Sequence, residues 1–415
     1  MSQATTIKLR LIVMNFLQFA VWGSWLISLG AYLGGTLQFT GTQIGSFFAT
    51  MGIASLITPA LFGIIADKWI PDERLISFSH IFAGGLMLLA AYQTDYFSLY
   101  TCVLLSVFFY MPTLGLTNAV AYNMLNKAGL DTVKHFPPIR VFGTIGFIVA
   151  MVAVDLMGLK TSNLQLVVSA FLSFALAGYM FTFKSSRVVS DLSVQGKKSL
   201  KERLGLQAFG LFRDRQMALF LVFSALLGIC LQITNGFANV YLTGFGEDPR
   251  YAGSFGVEHS GTLISISQIS EAVCILLIPF FLKRYGIKTV MAISFFAWVL
   301  RFGLLGAGNP GEGVWMLILS MIVYGVAFDF FNISGSLYVD QKVEPIMRSS
   351  AQGLFILMTN GVGSFVGSYA AGFVVDEAGF PDSWFIFAGY ALLIGMLFVF
   401  LFKEDKEDKR LSLVK

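Results

Sequence analysis

Long apolar runs separated by short polar breaks make up almost the whole chain, and run length carries the first inference. Crossing a bilayer takes about 20 mostly apolar residues, more when the helix is tilted. Twelve runs meet that length, at 9–35, 42–66, 75–93, 97–125, 139–158, 164–183, 216–243, 259–282, 288–307, 313–339, 349–375 and 383–402. Each predicts a spanning helix, because a backbone in lipid has to satisfy its own hydrogen bonds. The longest polar stretch, Lys184 to Arg215, lies between the sixth and seventh runs. It divides the chain into an N-terminal six-helix bundle over 1–184, a central loop over 185–215, a C-terminal six-helix bundle over 216–402 and a tail over 403–415.

The breaks also predict orientation, since cytoplasmic loops retain Lys and Arg. With both termini inside, every basic residue falls on a cytoplasmic segment except Lys160 and Arg250, on outer loops, and Arg140 and Arg301, within spans. The outer side instead carries Asp95, Glu247, Asp248, Asp376 and Asp382. Composition agrees with a membrane protein: 56% of residues are hydrophobic and 13% charged, with a mean hydropathy of +0.74, against about 25% charged in soluble domains. The net charge of +4 is spread between apolar runs, which excludes a nucleic-acid surface. Cys102, Cys230 and Cys274 sit inside apolar runs as packing residues, and His80, His135 and His259 have no metal-ligand spacing. Lys8 and Arg10 open a run too long for a cleaved signal, which predicts a first helix that stays.

Two breaks echo one another. "GIIADKWIPDER" follows the second run and "PFFLKRYGIKTV" the eighth. A basic turn after an inner-leaflet helix is the plain reading of either. Gly63, Asp67, Lys68 and Arg74 of the first, taken with twelve runs and a central loop, resemble the signature loop of the major facilitator superfamily. That resemblance implies two pseudo-symmetric six-helix bundles with substrate bound near the midplane between them.

Polar side chains inside spans are costly and usually face the bundle interior or a water-filled cavity. In the fifth run Arg140, Thr144 and Phe147 follow i, i+4, i+7 spacing and share one helix face. An arginine snorkelling to the interface is the alternative for Arg140. Pro137 and Pro138 suit a helix that starts there. Gln232 and Asn235 share a face of the seventh run, as do Gln268 and Glu271 of the eighth. Interhelical hydrogen bonding alone also explains a single amide, but recurrence in adjacent spans at mid-depth favours a cavity. In the tenth run Tyr324 and Phe328 are one turn apart, the spacing of an aromatic wall, beside Asp329 and Asn332. Phe331 reads as a packing or lipid-facing ring.

Glu271 and Asp329 are the carboxylates nearest the centre of a span. Burial disfavours their charged form and a nearby Arg140 favours it, the balance a proton carrier needs. A static Arg–carboxylate pair is the alternative for either acid. Arg301 fits such a structural pair and has no functional role in this reading. Amides that both donate and accept, beside rings and charges, fit a neutral ligand rich in hydroxyls with a flat face, such as a glycosylated aromatic ring.

The stretches "NFLQFAVWGSW", "YMPTLGL", "FPPIRVFGTIGF", "LQITN", "SISQISE" and "MIVYGVAFDFFNISGS" resemble the nucleoside:proton symporter family of bacteria over nearly all twelve runs. The resemblance implies proton-coupled import of nucleosides across the bacterial inner membrane by alternating access. It implies no enzyme activity, no cofactor beyond the proton as coupling ion, no metal and no nucleic-acid partner. A monomer surrounded by membrane lipid is the expected state. Carried over motif by motif, it assigns substrate binding to Arg140, Thr144, Phe147, Gln232, Asn235, Gln268, Glu271, Tyr324, Phe328 and Asn332, and proton coupling to Asp329 and Glu271. A sugar or oligosaccharide:proton symporter of the same fold is the rival, since sugars also take amides and aromatic platforms. A membrane receptor or enzyme is remoter, because no loop is longer than the Lys184–Arg215 stretch.

Overall fold

The computed structural model describes residues 3–183, 206–344 and 347–403. Among them every element is helical. The first six long helices are α1 (Gln3–Gly23), α2 (Gly41–Lys68), α3 (Asp72–Ala90), α4 (Tyr96–Lys127), α5 (Thr132–Leu156) and α6 (Leu164–Phe181). After the central stretch come α7 (Arg215–Gly244), then α8 and α9, which together occupy Ser260–Ala307. The last three are α10 (Val314–Lys342), α11 (Arg348–Ala378) and α12 (Asp382–Leu401). Ten described helices are long and apolar enough to cross a membrane. Dividing the 48-residue Ser260–Ala307 at Gly286 and adding α2 gives twelve. Gly286 has φ 77° and ψ 167°, a left-handed conformation that side-chain-bearing residues resist, so the chain turns there.

Three elements depart from the hydropathy reading. The first run is not one helix: α1 stops at Gly23, a turn follows, and Leu29–Ala31 with a π-helical Tyr32–Thr36 completes it. The residues of that turn are as buried as a helix would be, so hydropathy does not register the break. Helix α5 begins at Thr132, more than a turn before Pro137 and Pro138, and carries both prolines inside it. Neighbouring groups in a bundle can re-satisfy the carbonyls that such prolines free. Helix α11 changes pitch, with a π-helical turn at Leu357–Gly363 between α-helical Arg348–Ile356 and Ser364–Ala378. The Asp67 and Lys68 side chains of the signature loop, the central loop up to residue 205, and the tail after Lys403 lie outside the described residues.

Capping matches sequence chemistry. Asp95 accepts a hydrogen bond from the backbone N–H of Ser98 at 2.9 Å at the start of α4. That bond holds its carboxyl below the usual carboxylate range. Asp214 caps α7 through Met217 N–H at 2.7 Å.

The chain forms two compact units, Met1–Phe39 with Ile53–Lys197, and Thr40–Gly52 with Lys198–Lys415. The core of the first gathers Met14, Ile76, Val120, Leu125 and Leu176. In the second, Cys274, Ile278, Val290 and Phe330 pack together. Phe331 is fully buried there and stacks on Phe220 at 6.0 Å, a packing ring as its pattern suggests. The N-terminal part of α2, residues 41–52, belongs to this second unit. Asp376 of α11 accepts hydrogen bonds from Gly41 N–H, from Thr42 N–H at 2.7 Å and from the Thr42 hydroxyl. A carboxylate at a helix N-terminus satisfies free donors and suits the helix dipole.

Candidate functional site

In the first unit the site is built on the α1–α5 contact. Cβ atoms at Gly23 and Gly146 would overlap the carbonyl oxygens of Phe147 and Phe16, and one at Gly143 would lie 2.7 Å from the Phe19 ring. Glycine at these places lets the two backbones touch. The touch seats the Arg140 guanidinium 3.9 Å from the Phe19 ring centroid. Such cation–π contacts are worth about 0.5–2 kcal/mol, most when desolvated. One and two turns further on, Thr144 is half-buried and Phe147 meets the edge of Trp22 at 6.4 Å and 88°.

Behind Trp22 lies a buried polar network. Gln18 donates to the Thr113 hydroxyl at 2.8 Å, and His80 Nε2 lies 3.1 Å from Gln18 Oε1. Tyr110 donates to the Gln18 carbonyl at 2.8 Å and packs against both Trp22 (5.8 Å) and His80 (5.8 Å). Sequence reasoning missed all of these, with Phe19. The signal was present: Gln18 and His80 are polar residues inside apolar runs, the test that singled out Gln232. The unit also holds a cavity of about 460 Å³ lined by Tyr32, Thr36, Thr94, Thr161 and Asn163, among others. None of Arg140, Thr144 or Phe147 lines it.

In the second unit α8 packs closely on α10. A Cβ at Gly325 would sit 2.6 Å from the Ser270 carbonyl carbon, so only glycine allows the approach. Ser270 donates to the Ile322 carbonyl, and Ser267 to the Met321 sulfur at 3.2 Å. Glu271, next to Ser270, comes within electrostatic range of both Tyr324 and Asp329. Tyr324 and Phe328 stack at 6.0 Å with their planes 20° apart. Asp329 is 2% exposed, and its Oδ2 has no hydrogen-bond partner among the described residues.

Arg301, which sequence reasoning left without a functional role, supports this stack from behind. It is fully buried, with its guanidinium 4.7 Å from the Tyr324 centroid and Nη1 donating to the Ser320 carbonyl at 2.6 Å. Trp298 meets Tyr324 at 90° and 6.0 Å. The phenol is therefore held by an arginine, an indole and Phe328.

Gln232, 3% exposed, is bonded to α11: its Oε1 accepts from Ser364 Oγ at 3.3 Å, and its Nε2 is buried without a partner among the described residues. The side chains of Asn235, Gln268 and Asn332 are half-buried, and like that of Thr144 make no hydrogen bond among the described residues. The structure thus groups Glu271 with Tyr324, Phe328 and Asp329, and holds Gln232 separately against α11. Among the described residues no cluster of three His, Cys, Asp or Glu could hold a metal ion.

Residues 5–407 match the family described as Nucleoside H+ symporter. The chain is 47% identical over 414 residues to a xanthosine permease of Escherichia coli, covering 98% of each chain. It is 47% identical over 404 residues to the nucleoside permease NupG of Escherichia coli, covering 96% of each. A crystal structure of the nucleoside transporter NupG superposes with a TM-score of 0.89 at 46% identity, covering 96% of this chain and 100% of that one.

Proposed function

Because the chain belongs to the nucleoside H+ symporter family, we propose how its residues divide the work of moving a nucleoside with a proton. It is a transporter of the major facilitator fold, not an enzyme. In our reading, Arg140, Thr144 and Phe147 of the first unit bind the nucleoside together with Gln232, Asn235, Gln268, Glu271, Tyr324, Phe328 and Asn332 of the second. Tyr324 and Phe328 take a face of the base, while the amides and hydroxyl read the ribose and the base edges. Asp329 carries the coupling proton with Glu271 beside it. The observation that carries the reading is the uncommitted state of Thr144, Asn235, Gln268 and Asn332. Side chains that only hold a bundle together spend their hydrogen bonds on neighbouring helices; these keep theirs for a ligand.

The finer arrangement is part of the same proposal. Bundles over 1–184 and 216–402, joined by a cytoplasmic loop over 185–215 and followed by a cytoplasmic tail over 403–415, alternate access as a monomer in the lipid of the bacterial inner membrane. Both termini face the cytoplasm, and transport runs inward.

A site that hydrogen-bonds hydroxyls rejects analogues lacking them, because its own polar groups go unpaired. Each lost bond costs about 1–3 kcal/mol, roughly ten- to hundredfold in affinity. Labelled uridine, adenosine and xanthosine uptake into a transporter-deficient host is expected to fall with a protonophore. Unlabelled ribonucleosides are expected to compete on the order of ten- to hundredfold better than free nucleobases. Equal competition by uracil and uridine removes the ribose from the recognition scheme. Competition by lactose returns the rival sugar reading.

A further inference from the structure

The stretch "TNGVGSFVGS", residues 359–368, has no part in the assignments above, yet it makes the tightest helix contact near Gln232. A Cβ at Gly228 would overlap the Thr359 carbonyl oxygen. At Gly363 one would lie 2.7 Å from the Gly228 Cα, and at Gly367 2.8 Å from the Ile229 Cα. The glycines bring the backbone of α11 onto α7 along the turn that precedes Gln232. The π-helical turn Leu357–Gly363 ends at this contact, and Ser364 is the next residue. Single π-turns inside α-helices gather at functional sites.

From this geometry we propose that Ser364 is a positioning residue that anchors the Gln232 carboxamide by its oxygen and leaves its NH2 group to donate to the nucleoside. A glutamine amide offers an oxygen acceptor on one side and two N–H donors on the other. Unrestrained, it can turn over and present either. Ser364 Oγ–H occupies the oxygen. The NH2 group is left buried and without a partner among the described residues. A donor withheld from water and unpaired is costly, and a substrate acceptor removes that cost. Nucleosides carry such acceptors in the ribose oxygens, the base carbonyls and the unprotonated ring nitrogens. Gln232 then discriminates by polarity: it rewards an acceptor and penalises a donor at the same position of the cargo.

The inference rests on the reading of Gln232 as a substrate contact, and the test separates the two. The probe is whichever of uridine, adenosine and xanthosine the parent accumulates fastest. Equilibrium binding is measured on the purified full-length chain, and uptake kinetics in proteoliposomes. Gln232→Ala is expected to weaken binding about tenfold or more, and Ser364→Ala roughly three- to tenfold, raising KM while the maximal rate stays near the parent's. The double variant is expected to bind no more weakly than Gln232→Ala alone, because without the amide the hydroxyl has nothing to orient. A purely structural serine would give losses that add, and additive losses overturn the proposal. Parental affinity in Ser364→Ala alongside a weakened Gln232→Ala also overturns it, while leaving Gln232 as a contact. Parental affinity in Gln232→Ala removes the underlying reading and the proposal together.

Discussion

Replacing Asp329 with asparagine is expected to abolish proton-driven accumulation of nucleoside while binding stays within a few-fold of the parent. The side chain is 2% exposed, follows the stacked Tyr324–Phe328 pair by one residue and leaves Oδ2 without a hydrogen bond among the described residues. Asparagine keeps the volume and an acceptor oxygen; what it removes is the exchangeable proton. A proton or a ligand shifts an access equilibrium only through its differential affinity for the two states, so a side chain that cannot titrate cannot couple them. With one proton per nucleoside, each pH unit of gradient supports about tenfold accumulation, because a pH unit is about 1.4 kcal/mol. The variant should equilibrate near a ratio of about one. Glu271→Gln tests the neighbouring acid by the same assay, and at least one of the two neutral variants should still bind. Proteoliposome uptake under an imposed pH gradient, beside binding in detergent, decides the matter. If both neutral variants concentrate nucleoside as the parent does, the proton site lies elsewhere.

Gly228→Val is expected to deplete folded protein altogether. Its Cβ would overlap the Thr359 carbonyl oxygen and lie 2.8 Å from the carbonyl carbon. Both are backbone atoms, so no rotamer change relieves the overlap and the two helices have to separate. Overpacking typically costs about 1–3 kcal/mol even where side chains can yield. Here the expected loss is at the upper end of that range or beyond, a large fraction of the stability of a whole domain. Gly178→Ala in α6 is the control: a Cβ there meets nothing within 4 Å. Alanine in a helix interior is favoured by roughly 0.5–1 kcal/mol over glycine. Thermal unfolding in detergent should therefore show Gly178→Ala at or above the parent, and Gly228→Val well below it or absent from the membrane fraction. Parental stability for Gly228→Val would mean that α7 and α11 are not in backbone contact.

Run length was enough to read α2, α4, α7 and α10 nearly to their ends, because lipid imposes one length rule on every span. It did not show the break after Gly23, where the chain changes direction without becoming polar. Nor did it show the π-turn of α11, which alters pitch without altering composition. Among polar positions the legible quantity was cost: Gln232, Glu271 and Asp329 stand out because each is expensive inside an apolar run. The identity of the partner was not legible. Ser364 lies 132 residues from Gln232, and nothing in either motif names the other. Arg301 stood out as a charge within a span but gave only a structural reading, because its ring neighbour Tyr324 is not signalled in a chain where rings are so common. Gln18 and His80 met the same cost criterion and deserved the same reading.

The cap on α2 has a consequence for how the chain is made. Gly41 and Asp376 are 335 residues apart. At about 5–20 residues per second, the ribosome needs roughly 20–70 s between them. Throughout that interval the first turn of α2 exists without the carboxylate that closes it. The second unit is therefore not a product of the second half of translation: it incorporates a segment, Thr40–Gly52, synthesised near the beginning. A fragment starting after the central loop lacks that segment, and a fragment ending before it lacks Asp376, so each half is born missing a piece that the other one carries.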